Sequence, residues 1–282
     1  MGRLAWVVWC AGAIKVPTVE IADGVEMPVI SIGTGGGEAG HRDDVQAMVE
    51  SWLNQGGRGI DSAWVYFDET AVAAAIANSK VNRSDIFITS KIPACMSNWP
   101  ARVFVSENLR KLGTDYVDLM LIHSPLGVDC AGTWKALEDL VDKGKLRAIG
   151  VSNFKRQDID SLMKTATIPP AVNQVKYNLF YRNPDTEDAC HNSSISLMAY
   201  TPLSKNVTAT LTHPSVTSIA DRHQVAPAQV ALRWIVQKGH LVTVQSTSPD
   251  HQQQDADVFG FQLSDDEMSE LDGVKGMEGV VV

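Results

Sequence analysis

Two kinds of periodicity alternate along the chain. Short runs rich in Val, Ile and Thr, with polar residues closing them, predict strands. The longer segments between them repeat apolar residues every three or four positions, as amphipathic helices do. VISIGT, RGIDSA, DIFITSKI, VDLMLIHS, LRAIGVSN, AVNQVKYN, ISLMAY and LVTVQST give eight candidate strands. DDVQAMVESWLNQG, ETAVAAAIANS, RVFVSENLRKLG, TWKALEDLVDKG, RQDIDSLMKTA and APAQVALRWIVQKG are helical, several stopping at a glycine suited to a helix C-terminus. Ahead of them, TVEIADGVEMPVI reads as a short β-hairpin turning at Asp23-Gly24.

Eight βα units in about 250 residues is the arithmetic of an α/β protein built as a single (β/α)8 TIM barrel, here with a short N-terminal hairpin. A dinucleotide fold of another type competes through GGGEAG, Gly35 to Gly40, which matches G-x-G-x-x-G after a strand with Asp61 at about the expected 20-residue offset. Three features weigh against it. Glu38 would sit inside the phosphate loop, the helical pattern begins only near Asp43, and the chain after Asp61 runs into a polar loop. No internal repeat or linker marks a second domain. Residues 16–282 are read as the barrel domain and residues 1–15 as an extension outside it.

With 44% apolar and 20% charged residues over 282 positions, the chain has an ordinary globular composition. A formal charge of −9 argues against a nucleic-acid or polyanion binder, which needs a basic face. No run is long enough to span a membrane. Cys10, Cys95, Cys130 and Cys190 form no C-x-x-C pair, so they are read as reduced thiols of a cytoplasmic protein with no zinc or redox dithiol. The start MGRLAWVVWCAGA resembles a very short secretory signal, and Asn82, Asn192 and Asn206 head glycosylation triplets, which gives a secreted alternative. Nothing in the pattern sets an oligomeric state.

The chemistry lies where barrels carry it, at the carboxyl ends of the strands. Those ends hold Asp61, with Tyr66 in the loop that follows, then Lys91, His123, Ser152 with Asn153, Gln174, Tyr200 and Ser246. An acid closing a buried strand must be hydrogen-bonded or charge-paired. Lys91, on the next strand, is the cation expected to hold Asp61. An ammonium beside a phenol lowers the phenol's pKa, which would make Tyr66 a better proton donor. His123 could hydrogen-bond a substrate carbonyl oxygen. Each of these residues taken singly has a packing explanation; their shared placement points to a site that polarises and protonates a C=O group.

Several motifs together resemble the aldo-keto reductases: TVEIADGVEMPVISIGT, RGIDSAWVY, ITSKI, LGTDYVDLMLIHSP, GKLRAIGVSNF, NQVKYN, AYTPL and LSDDEM, spread from about Val16 to Gly273. The resemblance implies a catalytic tetrad of Asp61, Tyr66, Lys91 and His123 and an NADPH cofactor lying over the barrel mouth, with NADH possible. Ser152, Asn153 and Gln174 would hold the nicotinamide carboxamide and Tyr200 would stack on the ring. Gly33, Thr34, Leu203, Gln245, Ser246, His251, Gln254 and Asp255 would complete the cofactor contacts. The implied reaction is hydride transfer to the carbon of a small carbonyl substrate, protonated by Tyr66 and aligned by His123, with no metal. A cofactor-binding regulatory subunit with little turnover is the alternative, and the intact tetrad favours the enzyme.

The chain also departs from the family pattern. GTGGG stands where an aromatic residue usually follows GT, leaving Trp64, Phe67 and Trp99 as candidates for the substrate lining. SPLGVDCAG and the tail after LSDDEMSELDGV are short. VQS replaces the usual PKS, so Gln245 stands for a lysine, and His251 stands for an arginine. Both changes weaken the expected grip on a 2′-phosphate.

Overall fold

The computed structural model describes residues 14–35 and 42–274. The signal-like start and the GGGEAG segment beyond Gly35 lie outside the described residues. Strands β1 (Thr18–Ala22) and β2 (Val25–Pro28) form the antiparallel hairpin, turning at Asp23-Gly24. Eight parallel strands follow: β3 (Ile30–Gly33), β4 (Gly59–Asp61), β5 (Phe87–Ile92), β6 (Val117–Ile122), β7 (Leu146–Ser152), β8 (Val172–Lys176), β9 (Ser196–Tyr200) and β10 (Leu241–Val244). They pair in sequence order, and β10 returns to β3 to close the barrel. This is the TIM barrel that the eight strand-like runs predict.

Between and after the strands run α1 (Arg42–Asn54), α2 (Glu69–Ser79), α3 (Asn98–Leu112), α4 (Cys130–Val141), α5 (Arg156–Met163), α6 (Pro184–Asn192), α7 (Val207–Leu211), α8 (Pro214–His223), α9 (Pro227–Gln237), α10 (Pro249–Ala256) and α11 (Asp265–Asp272). None of the helices among the described residues is long and apolar enough to cross a membrane. The fold starts slightly earlier than residue 16. Ile14 is buried in the core, and its amide donates to the Gln55 carbonyl at 2.6 Å.

The strands are buried on both faces, every residue of β5 and β6 included, because helices cover the outside and side chains fill the inside. Close packing also explains a glycine. A Cβ at Gly57 would overlap the ring of Trp52, whose indole N–H donates to the Gly59 carbonyl at the start of β4. Any side chain there would push α1 away from the strand that carries Asp61.

The amino-terminal end of the barrel is fastened by one carboxylate. Asp118, buried near the start of β6, accepts from Arg83 at 2.8 Å, from Arg147 at 2.8 Å and from the backbone amide of Ile88 at 2.9 Å. Arg147 also donates to the Gly24 carbonyl, tying in the hairpin turn. Removing the carboxylate takes away the counter-charge shared by two guanidinium groups and the acceptor of the Ile88 amide, so Asp118→Ala is expected to cost about 3 kcal/mol or more. Denaturant unfolding checks this: the midpoint should fall while the catalytic constants of the folded fraction stay unchanged, and an unshifted midpoint would contradict the role.

Candidate active site

β4 ends on Asp61, and the chain bends into a 3-10 turn at Trp64–Tyr66 that stops at Phe67 in the left-handed region, φ 58°. This bend lets an acid on a strand and a phenol five residues later face one point. Lys91 on β5 is fully buried. Its Nζ donates to Asp61 Oδ1 at 2.6 Å, to the Ser62 carbonyl at 2.9 Å and to Tyr66 Oη at 3.5 Å. Three acceptors thus meet the three ammonium protons. The other carboxylate oxygen, Asp61 Oδ2, accepts from the Gln174 side-chain amide at 3.0 Å. His123 follows β6 and meets the Tyr66 ring edge-on, with centroids 5.6 Å apart. Gly35 lies so close to the Tyr66 ring that a Cβ there would overlap it.

Burial decides the protonation states. Desolvation alone would strip the charge from Lys91, but Asp61 and Tyr66 outweigh it and move its pKa upward, so the lysine stays an ammonium. For Tyr66, desolvation raises the pKa and exceeds the downward pull of Lys91. The reading of a phenol acidified by its lysine is therefore corrected: the net shift is upward, and the phenol keeps its proton throughout the neutral range. For His123, burial and then the Lys91 charge push the pKa down to about 4, so the imidazole is neutral and donates through one nitrogen.

A cavity of about 430 Å³ opens from this cluster. Asp61, Tyr66, His123, Ser152, Asn153, Gln174 and Tyr200 line it, together with Gly33, Leu203, Gln245 and Asp255. Asn153 adopts φ 63° and donates to the His123 carbonyl at 3.0 Å, while accepting from the Tyr200 hydroxyl at 3.0 Å. Ser152 Oγ and the Asn153 amide both donate to the Gln174 carbonyl at 2.9 Å. The Asp255 carboxyl lines the cavity without a hydrogen bond among the described residues, and burial raises its pKa to about 7.

Some expected residues stand elsewhere. Thr34 is buried beside Asp61, its amide donating to the Asp61 carbonyl at 2.9 Å. Ser246 turns back on Ser248, and His251 and Gln254 are exposed on α10. Among the aromatic residues, Trp64 faces α3 and not the cavity: its indole donates to Glu107 at 2.8 Å, and its ring meets Phe104 edge-on. Phe67 and Trp99 are exposed, and neither lines the cavity. Thr201, Pro202, Ser204, Val207 and Thr243 also line the cavity. Sequence reasoning missed them because the β9–α7 loop that supplies most of them carries no strand-closing polar signal. The reduced-thiol reading is overturned for one pair. Cys95 and Cys130 form a disulfide, brought together because the loops after two adjacent strands meet, while Cys190 is free and buried.

A closed parallel barrel with a buried acid–lysine–phenol chain at the carboxyl end of its strands defines a TIM-barrel enzyme with a proton-handling mouth. Residues 29–275 match the Aldo/keto reductase family, and the chain belongs to that family. It is 37% identical over 265 residues to a glyoxal reductase of Bacillus subtilis, covering 93% of this chain and 94% of that one. An aldo-keto reductase of Mycolicibacterium vanbaalenii is also 37% identical, over 93% of both chains. Among solved structures, an aldo-keto reductase from Brucella melitensis superposes with TM-score 0.87 at 32% identity, over 92% of this chain and all of that one. A Bombyx mori aldo-keto reductase solved in complex with NADP gives 0.86 at 30% identity, over 93% and 94%.

The buried pair also sets a pH-dependent stability. In Asp61→Asn the Lys91 ammonium loses its counter-charge but stays buried, at an expected cost of about 3–5 kcal/mol. Without that carboxylate the folded-state pKa of Lys91 falls below its unfolded value, so the deficit is full below the lowered pKa and shrinks as pH rises toward the lysine range. Unfolding free energies of both proteins from neutral to alkaline pH measure this, and a deficit independent of pH would contradict it.

Proposed function

We propose that the chain reduces small aldehydes or ketones to alcohols with NADPH, Tyr66 giving the proton. The observation that carries this reading is the hydrogen-bond chain from Gln174 through Asp61 and Lys91 to a protonated Tyr66, with a neutral His123 beside it. The Bacillus subtilis relative named glyoxal reductase and the Bombyx mori neighbour holding NADP support the substrate class and the cofactor.

The cavity suits a dinucleotide. It is lined by polar groups beside the tetrad, and it takes in an Asp255 carboxyl with no hydrogen-bond partner among the described residues. Ser152, Asn153 and Gln174 are placed to hold a carboxamide, Tyr200 to pack against a flat ring, and Asp255 to accept from an exocyclic amine. When bound, the nicotinamide supplies the hydride that the carbonyl carbon receives. His123 donates a hydrogen bond to the carbonyl oxygen and fixes its direction. Tyr66 hands that oxygen its proton, and the Lys91 ammonium steadies the phenolate left behind. Asp61 keeps the lysine charged and in place, and Gln174 keeps Asp61 turned toward it. The raised pKa of Tyr66 suits the direction of reduction, in which the phenol must start protonated.

Tyr66→Phe is the direct test. It deletes the donor hydroxyl and little else, so turnover of a carbonyl panel should fall roughly 100- to 10,000-fold. NADPH binding, followed by fluorescence, should stay near that of the unaltered protein. Near-normal turnover would overturn the assignment.

Cofactor choice follows from another part of the lining. Gln245 lines the cavity with a neutral amide, and His251 stands exposed on α10, one turn before Asp255. Arg182 is engaged elsewhere, bonded to Asp272 and to the Val274 carbonyl. Charge-assisted bonds to a 2′-phosphate are about twice as strong as neutral ones. Preference for NADPH over NADH is therefore expected to be modest. The ratio of kcat/KM values for the two cofactors, with and without His251→Ala, checks this; a large ratio that the substitution leaves unchanged would assign the phosphate to another cation.

A further inference from the structure

The loops after β5 and β6 are joined along their length. The Cys95 amide donates to the Leu126 carbonyl at 3.0 Å, and Cys95 pairs with Gly127 in an isolated parallel bridge. Gly127 has φ 133°, and a Cβ there would strike the Cys95 carbonyl, so the two backbones touch. The Met96 amide donates to Thr133 Oγ1 at 2.7 Å. The Cys95–Cys130 disulfide closes the contact covalently, with Cα atoms 4.5 Å apart.

This clasp lies on the tetrad side of the mouth. Lys91 stands four residues before Cys95, and His123 seven residues before Cys130. α3, which begins just after Cys95, carries the Glu107 and Phe104 that seat Trp64, two residues from Tyr66. The loops that follow Lys91 and His123 are thus braced against one another, and α3 extends the brace to the turn that carries Tyr66. The cofactor candidates stand mostly on β7 to β10 and the loops after them, with no share in the clasp. The clasped segments also hold large apolar side chains in the open: Trp99 is 73% exposed, Leu126 75% and Val128 91%. Each lies within four residues of one of the bridged cysteines, Trp99 at the start of α3 and Leu126 and Val128 in the loop after β6, and exposed apolar side chains so placed are available for contact with a ligand.

We propose that the Cys95–Cys130 disulfide is a redox clasp on the carbonyl side of the mouth. When it is oxidised, it holds Trp99, Leu126 and Val128 as a lip for the apolar body of a carbonyl substrate. When it is reduced, the two loops loosen and substrate binding weakens, while cofactor binding is unaffected. The proposal rests on the carbonyl-reductase reading.

The chemistry is thiol–disulfide exchange with a dithiol reductant. Cys130 is half-buried and Cys95 buried, so a thiolate attacks the Cys130 sulfur. The Sγ–Sγ bond breaks, Cys95 leaves as a thiolate and takes a proton, and a mixed disulfide forms on Cys130. The second thiol of the reductant displaces Cys130. The products are two cysteine thiols and the oxidised dithiol, so two electrons and two protons have passed to the protein. The Cys95–Leu126 hydrogen bond and the Thr133 contact do not depend on the disulfide, so reduction removes the covalent tie and loosens the loops without unfolding the barrel. A clasp of this kind reports the redox state of its surroundings through substrate affinity.

The test uses the full chain before and after dithiothreitol, with a C95S/C130S variant as the permanently open form. Non-reducing peptide mapping of the oxidised protein should find the Cys95 and Cys130 peptides linked. KM for an aliphatic aldehyde of medium chain length should rise about tenfold on reduction, the scale expected when several side chains lose their ordering. The NADPH dissociation constant, read by fluorescence, should not move. C95S/C130S should show the higher KM in both conditions; if it does not fold, the wild-type comparison decides alone. Absence of the linked peptide, or equal KM in the two redox states, overturns the clasp. Absence of turnover with any carbonyl in either state overturns the carbonyl-reductase reading first, and the clasp's role with it.

Discussion

A lysine ammonium with no exposure to water is among the most costly groups a barrel can carry, and the site depends on making that burial tolerable. Asp61 does most of this, but the pair is part of a larger polar ring. Asp61 also accepts from Gln174, the Gln174 carbonyl accepts from Ser152 and Asn153, and Asn153 reaches both His123 and Tyr200. On the other side Ser62 offers its carbonyl to Lys91 and its hydroxyl to Asp68. Side-chain and backbone groups from β4 to β9 therefore satisfy one another around the buried Lys91–Asp61 pair. Such a network is stable when every member is paired and unfavourable when one is missing. It also leaves the tetrad and the carboxamide-binding residues few ways to move independently.

The same burial settles the acid–base chemistry. The low-polarity surroundings that retain a neutral His123 also retain a protonated Tyr66, whereas Lys91 resists them chiefly because a carboxylate lies 2.6 Å away. Three groups in one environment thus take three defined states. Reduction needs that combination: a loaded donor, a neutral aligner and a fixed positive charge to receive the phenolate.

Strand-closing polar residues made most of the mouth legible from the sequence. Asp61, Lys91, His123, Ser152, Asn153 and Gln174 each end or follow an apolar run, and parallel strand order carries them to one rim. The hairpin and all eight barrel strands were equally visible, because each is a short apolar run between turn signals. Properties that depend on three-dimensional surroundings were not visible. The net proton affinity of Tyr66 depends on how much water it loses, which outweighs the neighbour that the sequence does reveal. The orientation of Trp64 depends on Glu107 and Phe104, some forty residues later. The Cys95–Cys130 bond spans 35 positions and forms only because β5 and β6 lie side by side. The β9–α7 wall of the cavity is a loop shaped by the left-handed Thr201 and Ser204, a conformation that neither residue type announces.

Asp118 gathers two arginines and a backbone amide at the end of the barrel opposite the chemistry. The element that anchors β6 is therefore remote from the one that uses it. A scaffold partitioned in this way tolerates exchange of its upper loops, since the lower end keeps its own fastening whatever is grafted above. The abbreviated SPLGVDCAG segment is one such edit already present in the chain, and segments of other lengths at the same junction are natural starting points for retargeting the pocket by loop transplantation.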